Sequence, residues 1–332
     1  MDHLKHLADD VNAGKIPSNL ASVIHNFFDS YKEAVEENGY KIQDLQPVLN
    51  QFIDLVAEQL AAPYIFEPFH ECIRKPTDYY KFGLDLVRPL IVFPKSQVVG
   101  LDQLDEMQKT LARGENVILL ANHQTEPDPQ AISLMLEKTH PKLAENMIFI
   151  AGQRVISDPL AVPFSKGRNL LCIFSKRYIE TEPDLKQEKL LHNQRTMKRM
   201  VQLLSEGGKC IYVAPSGGRD RPGPKGKITV APFDPQSIEM FSLMAKQSEK
   251  MTHFHPLALS TYDLLPPPCS IEVGLGERRH ARCTPIHLAF GPAIDMENCV
   301  SAAITDKKLR RKERANYIWK LVVDAYNKFG LS

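Results

Sequence analysis

Long hydrophobic runs are missing from this sequence. No stretch approaches the roughly 18–20 apolar residues that a helix needs to cross a bilayer. The first residues (MDHLK) contain neither the basic segment nor the apolar segment of a secretory signal peptide. We therefore expect a soluble protein without a transmembrane segment, which is compatible with peripheral contact with a membrane.

Cysteine pairs at metal-binding or redox spacing are also missing. None of the six cysteines belongs to a CxxC motif, and several lie in apolar runs. We expect most of them to be reduced and buried, as in a cytosol-like compartment, and we expect no structural zinc site. The sequence has no GxxxxGK[ST] segment, which excludes a P-loop.

The chain as a whole has no excess of charge of either sign. Its formal net charge is +1, which gives no indication of nucleic-acid binding. The distribution is uneven, because residues 1–75 contain 6 Lys/Arg and 12 Asp/Glu, whereas residues 166–227 contain 14 Lys/Arg and 6 Asp/Glu. The local basic excess in the second segment indicates an anionic ligand.

The first part of the chain is typical of a small helical bundle. Apolar residues recur at three- and four-residue spacing in 21–35 and 42–61, and β-branched alternation is scarce. Pro17 and Gly39 indicate breaks between helices. We predict a helical domain over residues 1–76 that carries no catalytic residues, since polar chemistry is not clustered there.

Beyond residue 76, short apolar runs alternate with longer helical stretches. The candidate strands are 117–121, 147–151, 170–174, 210–214, 255–260 and 270–274, and the candidate helices are 102–113, 129–139, 188–206, 236–248 and 306–328. This alternation predicts an α/β domain over 77–332, with a large mixed, mostly parallel sheet flanked by helices. In such sheets, functional residues collect at the carboxyl ends of strands.

A histidine and a carboxylate follow the first of these candidate strands. Segment 122–128 (NHQTEPD) places His123 and Asp128 five positions apart. Imidazole is well suited to proton transfer near neutral pH, and a carboxylate on its far nitrogen stabilises the imidazolium. No cysteine or elbow serine is adjacent, so we expect the pair to deprotonate a group brought by the substrate. Asp128 is also expected to be the N-cap of a helix that begins at Pro129.

Two basic turns follow other candidate strands. Segment 216–221 (SGGRDR) combines glycines, which let backbone amides approach a ligand, with Arg219 and Arg221, whose guanidinium groups suit phosphate oxygens. Segment 175–178 (SKRY) is also basic. If both turns share a sheet edge with His123, a base faces an anion pocket. The structural alternative for each turn is an ordinary solvated loop.

Three further patterns have competing interpretations. Ser216 lies in a segment similar to a hydrolase nucleophile elbow, but the glycines and prolines that follow cannot begin the helix that an elbow requires. His253 and His255 could form a metal pair on one strand face, without an obvious third ligand. The basic run 307–314 is typical of a solvated helix face, or of a docking surface for an acidic carrier protein.

Taken together, these segments resemble a known family. The H-x4-D spacing of His123 and Asp128 resembles the motif of the glycerolipid acyltransferases, and segment 214–222 (APSGGRDRP) makes the resemblance highly specific. The chain resembles the soluble glycerol-3-phosphate 1-acyltransferases of chloroplasts and their bacterial relatives, including chlamydial ones. Other matching segments follow in order along most of the chain: 78–83, 87–91, 158–160, 167–170 and 231–234.

The resemblance implies a helical bundle packed on a large α/β domain. It also implies transfer of an acyl group from acyl-carrier protein or acyl-CoA to the sn-1 hydroxyl of glycerol 3-phosphate. His123 matches the base of the family and Asp128 matches its partner, while Arg219 and Arg221 match phosphate-binding arginines. The resemblance implies neither a metal nor a cofactor.

Another part of the implied phosphate site departs from the family pattern. The family has a Lys-His pair where this chain has Arg177 and Tyr178. Arg177 keeps the charge, so it is carried over as a phosphate contact together with the adjacent Lys176, whereas Tyr178 replaces the histidine. The expected location is the bacterial cytoplasm or the plastid stroma.

Two rival functions stay open at the level of sequence. One is an acyl thioesterase in which His123 activates water, and the other is a non-catalytic module that binds glycerophosphate or lipid. Lysophosphatidate is an alternative acceptor, because related enzymes share the H-x4-D motif. The compact basic pocket favours the smaller acceptor.

Overall fold

The N-terminal part of the chain is helical, as its spacing predicts. The computed structural model describes residues 2–175, 179–180, 183–223, 226–268 and 277–330. The first helices are α1 (Asp2–Asn12), α2 (Ser18–Glu37) and α3 (Gln46–Ala61), with a 3-10 turn at Ile42–Leu45 before α3. The buried residues of α2 recur mainly at three- and four-residue spacing, which gives the helix one apolar face: Leu20, Ile24, Phe27, Phe28 and Tyr31.

These helices share a hydrophobic core with the rest of the chain. One cluster of buried residues joins them to later segments that include Phe82, Leu90 and Ile286. The Tyr31 hydroxyl also donates a hydrogen bond to the carbonyl of Leu86 at 2.8 Å. A domain boundary between residues 76 and 77 therefore separates segments that pack on a common core, and this boundary stays a prediction.

The remaining elements alternate between strands and helices. The strands are β1 (Phe69–His70), β2 (Gln97–Val99), β3 (Asn116–Ala121), β4 (Ile148–Gly152), β5 (Asn169–Ile173), β6 (Cys210–Val213), β7 (Arg221–Pro222), β8 (Ile228–Thr229), β9 (Thr252–Ser260) and β10 (His287–Phe290). The helices are α4 (Tyr79–Val87), α5 (Leu101–Ala112), α6 (Asp128–Leu136), α7 (Pro141–Asn146), α8 (Gln153–Ser157), α9 (Val162–Lys166), α10 (Lys186–Glu206), α11 (Pro235–Gln247) and α12 (Lys307–Asn327). The candidate strand 270–274 lies outside the described residues.

The described strands form one large sheet and one small ribbon. The sheet has eight strands in the described part of the chain, in the order β1-β5-β4-β6-β3-β9-β10-β2, and β7 pairs with β8 in the ribbon. Strands β5, β4, β6, β3 and β9 run parallel, while β1 and β10 pair antiparallel with their neighbours β5 and β9. The prediction of an α/β fold with a mixed, mostly parallel sheet is confirmed.

The central strand β3 explains why helices cover both faces of the sheet. All six of its residues are buried. Ile118 and Leu120 belong to a cluster with residues of α10, α11 and α12, whereas Val117 and Leu119 belong to a cluster with residues of α5, α6 and α7. Each such apolar side chain contributes roughly 1.5–3 kcal/mol when it is fully buried, so the two helix layers stabilise the strand from opposite sides.

Parallel pairing brings the carboxyl ends of five strands to one edge, which we call the carboxyl edge. Within the sheet, Leu120 of β3 pairs with Val213 of β6 and with Pro256 of β9. The segments that follow these strands therefore emerge side by side. This arrangement places the segment after β3, which contains His123, beside the arginine-containing segment after β6.

Two expectations about composition can be compared with the fold. Cys172 and Cys210 are buried free thiols, whereas Cys72, Cys283 and Cys299 are free but only half-buried. The expectation that most cysteines are buried is therefore wrong for three of the five described here, and Cys269 lies outside the described residues. No helix in the described ranges is long and apolar enough to span a membrane.

Gly100 lies at the closely packed junction of β2 and α5, and Gly39 serves as its control. Gly100 has φ +84°, and a Cβ atom there would lie 2.1 Å from the carbonyl oxygen of Phe290. Gly39 has φ +81°, but nothing lies within 4 Å of its Cβ position. Gly39→Ala should cost roughly 1–2 kcal/mol of unfolding free energy from backbone strain, and Gly100→Ala should cost about 1–3 kcal/mol more from the collision. Urea unfolding of both variants measures the difference, and equal losses would contradict the close contact.

Candidate active site

His123 and Asp128 form a hydrogen-bonded pair at the carboxyl edge. Nδ1 of His123 lies 2.7 Å from Oδ2 of Asp128. The His123 side chain is 30% exposed, while that of Asp128 is 1% exposed. A carboxylate at this distance requires a proton on Nδ1, which leaves Nε2 with the lone pair. Nε2 of the imidazole is therefore available to a substrate, while Nδ1 is hydrogen-bonded to the buried carboxylate of Asp128.

Asp128 begins helix α6 without capping it. Pro127 occupies the N-cap position, and no side-chain cap hydrogen bond is present. The prediction that Asp128 caps the helix is wrong, because its carboxylate oxygens are used by other groups. Oδ2 accepts hydrogen bonds from His123 and from the Gln124 amide at 2.9 Å, and Oδ1 accepts from Thr261.

Thr261 is a site residue that the sequence did not reveal. Its hydroxyl donates to Oδ1 of Asp128 at 2.5 Å, and it directly follows β9, the strand next to β3. The two residues are 133 positions apart in the chain, so no local pattern connects them. Together, Thr261 and the Gln124 amide fix the orientation of the carboxylate that faces His123.

Asp220 connects the arginine-containing turn (residues 216–221) to the histidine turn (residues 122–128). Its backbone amide donates to the carbonyl of His123 at 2.6 Å. Its Oδ2 accepts from Asn122 at 2.8 Å and from Gln124 at 3.2 Å, and its Oδ1 accepts from the amide of Ala231 at 2.8 Å. Burial raises the pKa of the Asp220 carboxyl, and these hydrogen bonds oppose that shift. These hydrogen bonds therefore join the two turns in one unit.

Asn122 and Gln124 extend this unit to strand β9. The side chain of Asn122 exchanges two hydrogen bonds with the backbone of Leu259, at 2.7 and 2.9 Å. Oε1 of Gln124 accepts from the amides of Thr261 and Tyr262 at 2.7 and 3.0 Å. These residues flank His123 in sequence, and their burial is the signal that they are structural supports for its turn.

Arg219 and Arg221 lie on either side of Asp220. The Arg219 side chain is 13% exposed, and its guanidinium donates to Oε1 of Glu277 at 2.6 Å. A second carboxylate, Glu126 of the histidine turn, lies 4.0 Å from it. Arg221 begins β7 and is half-buried. The structure therefore brings the predicted phosphate-binding turn next to the predicted base, as the shared sheet edge requires.

A network of charges surrounds Arg219. Arg279 donates to Glu126 at 2.8 Å and to Asp158 at 3.2 Å. Burial disfavours the charge on Arg279, but these two carboxylates outweigh burial and raise the pKa of the guanidinium. Glu277 also pairs with Arg154. The sequence did not predict Arg154, Glu277 and Arg279 as site residues. Most of their partners lie more than 100 positions away in the chain, so no local pattern connects them.

The third predicted basic group cannot be placed. Lys176, Arg177 and Tyr178 lie outside the described residues. The described part of their segment ends at Ser175, two positions after β5. Their assignment to the phosphate site stays a prediction.

The competing patterns have separate environments. The Ser216 hydroxyl donates to the carbonyl of Gly218 at 2.9 Å, and a turn rather than a helix follows it. His253 lies 2.7 Å from Glu115, whereas His255 contacts the carbonyl of Gly291 at 3.0 Å. The two histidines thus have different partners and do not converge on one point.

The basic run 307–314 opens helix α12. Arg311 and Arg314 pair with Glu239 of α11, at 3.4 and 3.0 Å. The run is therefore partly used to hold two helices together. Its role as a docking surface stays a prediction.

Arg279 offers a test of the charge network. Arg279→Met removes the shared partner of Glu126 and Asp158, so breaking these buried pairs should cost roughly 3–5 kcal/mol of unfolding free energy. The matched control is Arg282→Met, because Arg282 pairs with Asp263 where both side chains are more than half exposed; it should cost less than about 1 kcal/mol. Denaturant unfolding measures both losses, and a small loss for Arg279→Met would show that the carboxylates do not depend on it.

Comparison with known proteins identifies the family. A family model described as Acyltransferase matches residues 97–260, which include both the histidine turn and the arginine-containing turn. A chloroplastic glycerol-3-phosphate acyltransferase of Cucurbita moschata is 42% identical over 297 residues, covering 89% of this chain and 66% of the relative. The corresponding protein of Spinacia oleracea is 38% identical over 317 residues, covering 95% of this chain and 67% of the relative.

A third relative extends the match to almost the whole chain. The chloroplastic glycerol-3-phosphate acyltransferase of Arabidopsis thaliana is 36% identical over 328 residues, covering 98% of this chain and 71% of the relative. The chain spans about two thirds of the length of these curated relatives. The resemblance seen in the sequence is confirmed: the chain belongs to the chloroplastic-type glycerol-3-phosphate acyltransferase family.

Proposed function

We propose that the protein transfers a fatty acyl group from a thioester, acyl-carrier protein or acyl-CoA, to the sn-1 hydroxyl of glycerol 3-phosphate, which gives 1-acyl-glycerol 3-phosphate. The observation that carries this proposal is the connection made by Asp220. It holds the turn of His123 and the turn of Arg219 and Arg221 in a fixed relation. A base and an anion anchor in a fixed relation suit an acceptor that has both a hydroxyl and a phosphate.

The arginines anchor the acceptor in this mechanism. Guanidinium groups bind phosphate oxygens through paired, charge-assisted hydrogen bonds. Arg219 and Arg221 supply them from one side of the site, and Lys176 and Arg177 complete the phosphate site. The anchor converts an encounter with a free hydroxyl into a step within a complex, which can lower the barrier by up to roughly 7–11 kcal/mol.

His123 moves the proton in both halves of the reaction. Its Nε2 accepts the proton of the sn-1 hydroxyl while that oxygen attacks the thioester carbonyl carbon. The tetrahedral intermediate then collapses, the carbon–sulfur bond breaks, and the imidazolium returns the proton to the leaving thiol. Asp128 stabilises the imidazolium between these steps through its hydrogen bond to Nδ1.

The donors and the location follow from the same proposal. Both thioesters present the same carbonyl, so the residues at the carboxyl edge serve either donor. The proposed reaction requires no metal, no cofactor and no nucleic acid, and it is compatible with peripheral contact with a membrane. The relatives are named as chloroplastic proteins, and we place this protein in the plastid stroma or in a bacterial cytoplasm.

A thiol-release assay distinguishes acyl transfer from its rivals. Release of free thiol from acyl-CoA or acyl-carrier protein should depend on added glycerol 3-phosphate and should yield one acylated acceptor per thiol. His123→Ala should lower this rate by roughly 100-fold or more, since general acid–base catalysis contributes that much. The near-ultraviolet circular dichroism of the variant should match that of the wild type.

Each rival gives a different result in this assay. A thioesterase would release thiol at the full rate without an acceptor, and a binding module would bind glycerol 3-phosphate without turnover. A folded His123→Ala variant that kept more than a few per cent of the rate would exclude the general-base role. Lysophosphatidate in place of glycerol 3-phosphate should give a lower rate if the smaller acceptor is the substrate.

Arg219 gives a second test, directed at the anchor. Arg219→Ala should raise KM for glycerol 3-phosphate by roughly tenfold to a hundredfold, the equivalent of a lost charge-assisted hydrogen bond, and should leave KM for the acyl donor nearly unchanged. The control is Arg199→Ala on α10, whose partner is the exposed Glu206. An unchanged KM for the acceptor in Arg219→Ala would refute the assignment.

A further inference from the structure

The arginine that is proposed to hold the phosphate already has an anion beside it. Oε1 of Glu277 accepts a hydrogen bond from Arg219 at 2.6 Å, and Oε2 of the same carboxylate pairs with Arg154. The Glu277 side chain is 2% exposed, and those of Arg219 and Arg154 are 13% and 17% exposed. One buried carboxylate therefore bridges two guanidinium groups.

The two arginines reach this carboxylate from neighbouring strands. Arg154 lies in α8, directly after β4, and Arg219 lies in the turn after β6. Strands β4 and β6 are adjacent and parallel. Both side chains therefore extend from the carboxyl edge, which also carries His123, and they converge on a single anionic group.

The backbone of Glu277 is fixed independently of this carboxylate. Its amide donates to Asp158 at 3.4 Å, and its carbonyl accepts from Arg279 at 2.8 Å. Arg279 is in turn paired with Glu126 and Asp158. Only the side chain of Glu277 would have to rotate for its carboxylate to leave the two arginines.

We propose that Glu277 occupies the phosphate site in the absence of substrate, and that Arg154 is a further phosphate-binding residue, which contacts the substrate once its phosphate replaces the Glu277 carboxylate. This inference rests on the proposed function and extends it to the makeup of the acceptor site. The carboxylate presents two oxygens to two guanidinium groups, and a phosphate can present two oxygens to the same pair. Until the substrate arrives, the charged carboxylate of Glu277 is the anion that both arginines contact.

The exchange has a distinctive energetic consequence. Every anion that binds to Arg219 and Arg154 must first displace the Glu277 carboxylate. The free energy of this displacement is the same for each anion and weakens the binding of each by the same factor. Removing the charge of Glu277 should therefore tighten the binding of different phosphates by a similar factor. A supporting residue would have the opposite effect, because its loss would loosen the site.

The experiment compares binding of two phosphates to the whole protein without an acyl donor, so that no turnover occurs. Isothermal titration calorimetry at pH 8, which lies above the second pKa of each ligand so that both are mostly dianions, gives Kd for glycerol 3-phosphate and for inorganic phosphate. In Glu277→Gln both Kd values should fall, by about fivefold or more, as a competing charge is removed. In Arg154→Gln both should rise by a similar factor.

Control variants separate this effect from a change in folding. Glu137→Gln weakens another ion pair, the one with Arg88, in which both side chains are partly exposed. Glu137 follows the carboxyl end of α6, whereas Asp128 lies at the amino end of that helix, so this variant should change neither Kd. If Glu277→Gln does not fold, Glu277→Asp keeps the charge but withdraws the carboxylate by one methylene, and it should also lower both Kd values. Thermal unfolding of each variant without ligand establishes that it is folded.

The outcomes divide cleanly between the two proposals. Unchanged or weaker phosphate binding by a folded Glu277 variant would overturn the exchange, and unchanged binding by Arg154→Gln would overturn the role of Arg154. Neither result would contradict the proposed function. That proposal would be refuted if the wild type did not bind glycerol 3-phosphate or did not acylate it.

Discussion

The buried carboxylate of Asp220 is the constraint on which the site depends. It accepts hydrogen bonds from Asn122, Gln124 and Ala231, while its backbone amide bonds to the carbonyl of His123. Removing a carboxylate from water is costly unless its lone pairs are satisfied, so this group holds its donors in place. The two turns it joins follow adjacent strands, and their relative position is set by these bonds and by the register of the sheet.

Electrostatic balance explains how so many charges can be buried at one edge. Arg154, Arg219 and Arg279 alternate with Glu126, Asp158 and Glu277, and each charged group has at least one partner of opposite sign. A buried guanidinium without a partner would be strongly destabilising. The proposed exchange at Glu277 keeps this balance, because the carboxylate leaves Arg219 when another anion replaces it. Binding of substrate is then coupled to a rearrangement of charge within the site.

Much of the fold and part of the site could be predicted from the sequence, because their signals are local. The apolar run of β3 and the spacing of His123 and Asp128 are properties of a few consecutive residues, and so is the basic turn at Arg219. The helix cap predicted for Asp128 was wrong, even though its position just before a proline favoured that role. Asp128 does not cap the helix because both of its carboxylate oxygens accept hydrogen bonds from other groups, namely His123, Gln124 and Thr261.

The sequence by itself therefore determined the class of fold, the residue pair suited to proton transfer and the basic character of the turn at Arg219 and Arg221. Only the tertiary structure decided which groups orient that pair and which anion accompanies Arg219. Thr261 reaches Asp128 across 133 positions and Glu277 reaches Arg219 across 58. Such contacts have no sequence period, because they arise where parallel strands end at a common edge and their following loops meet.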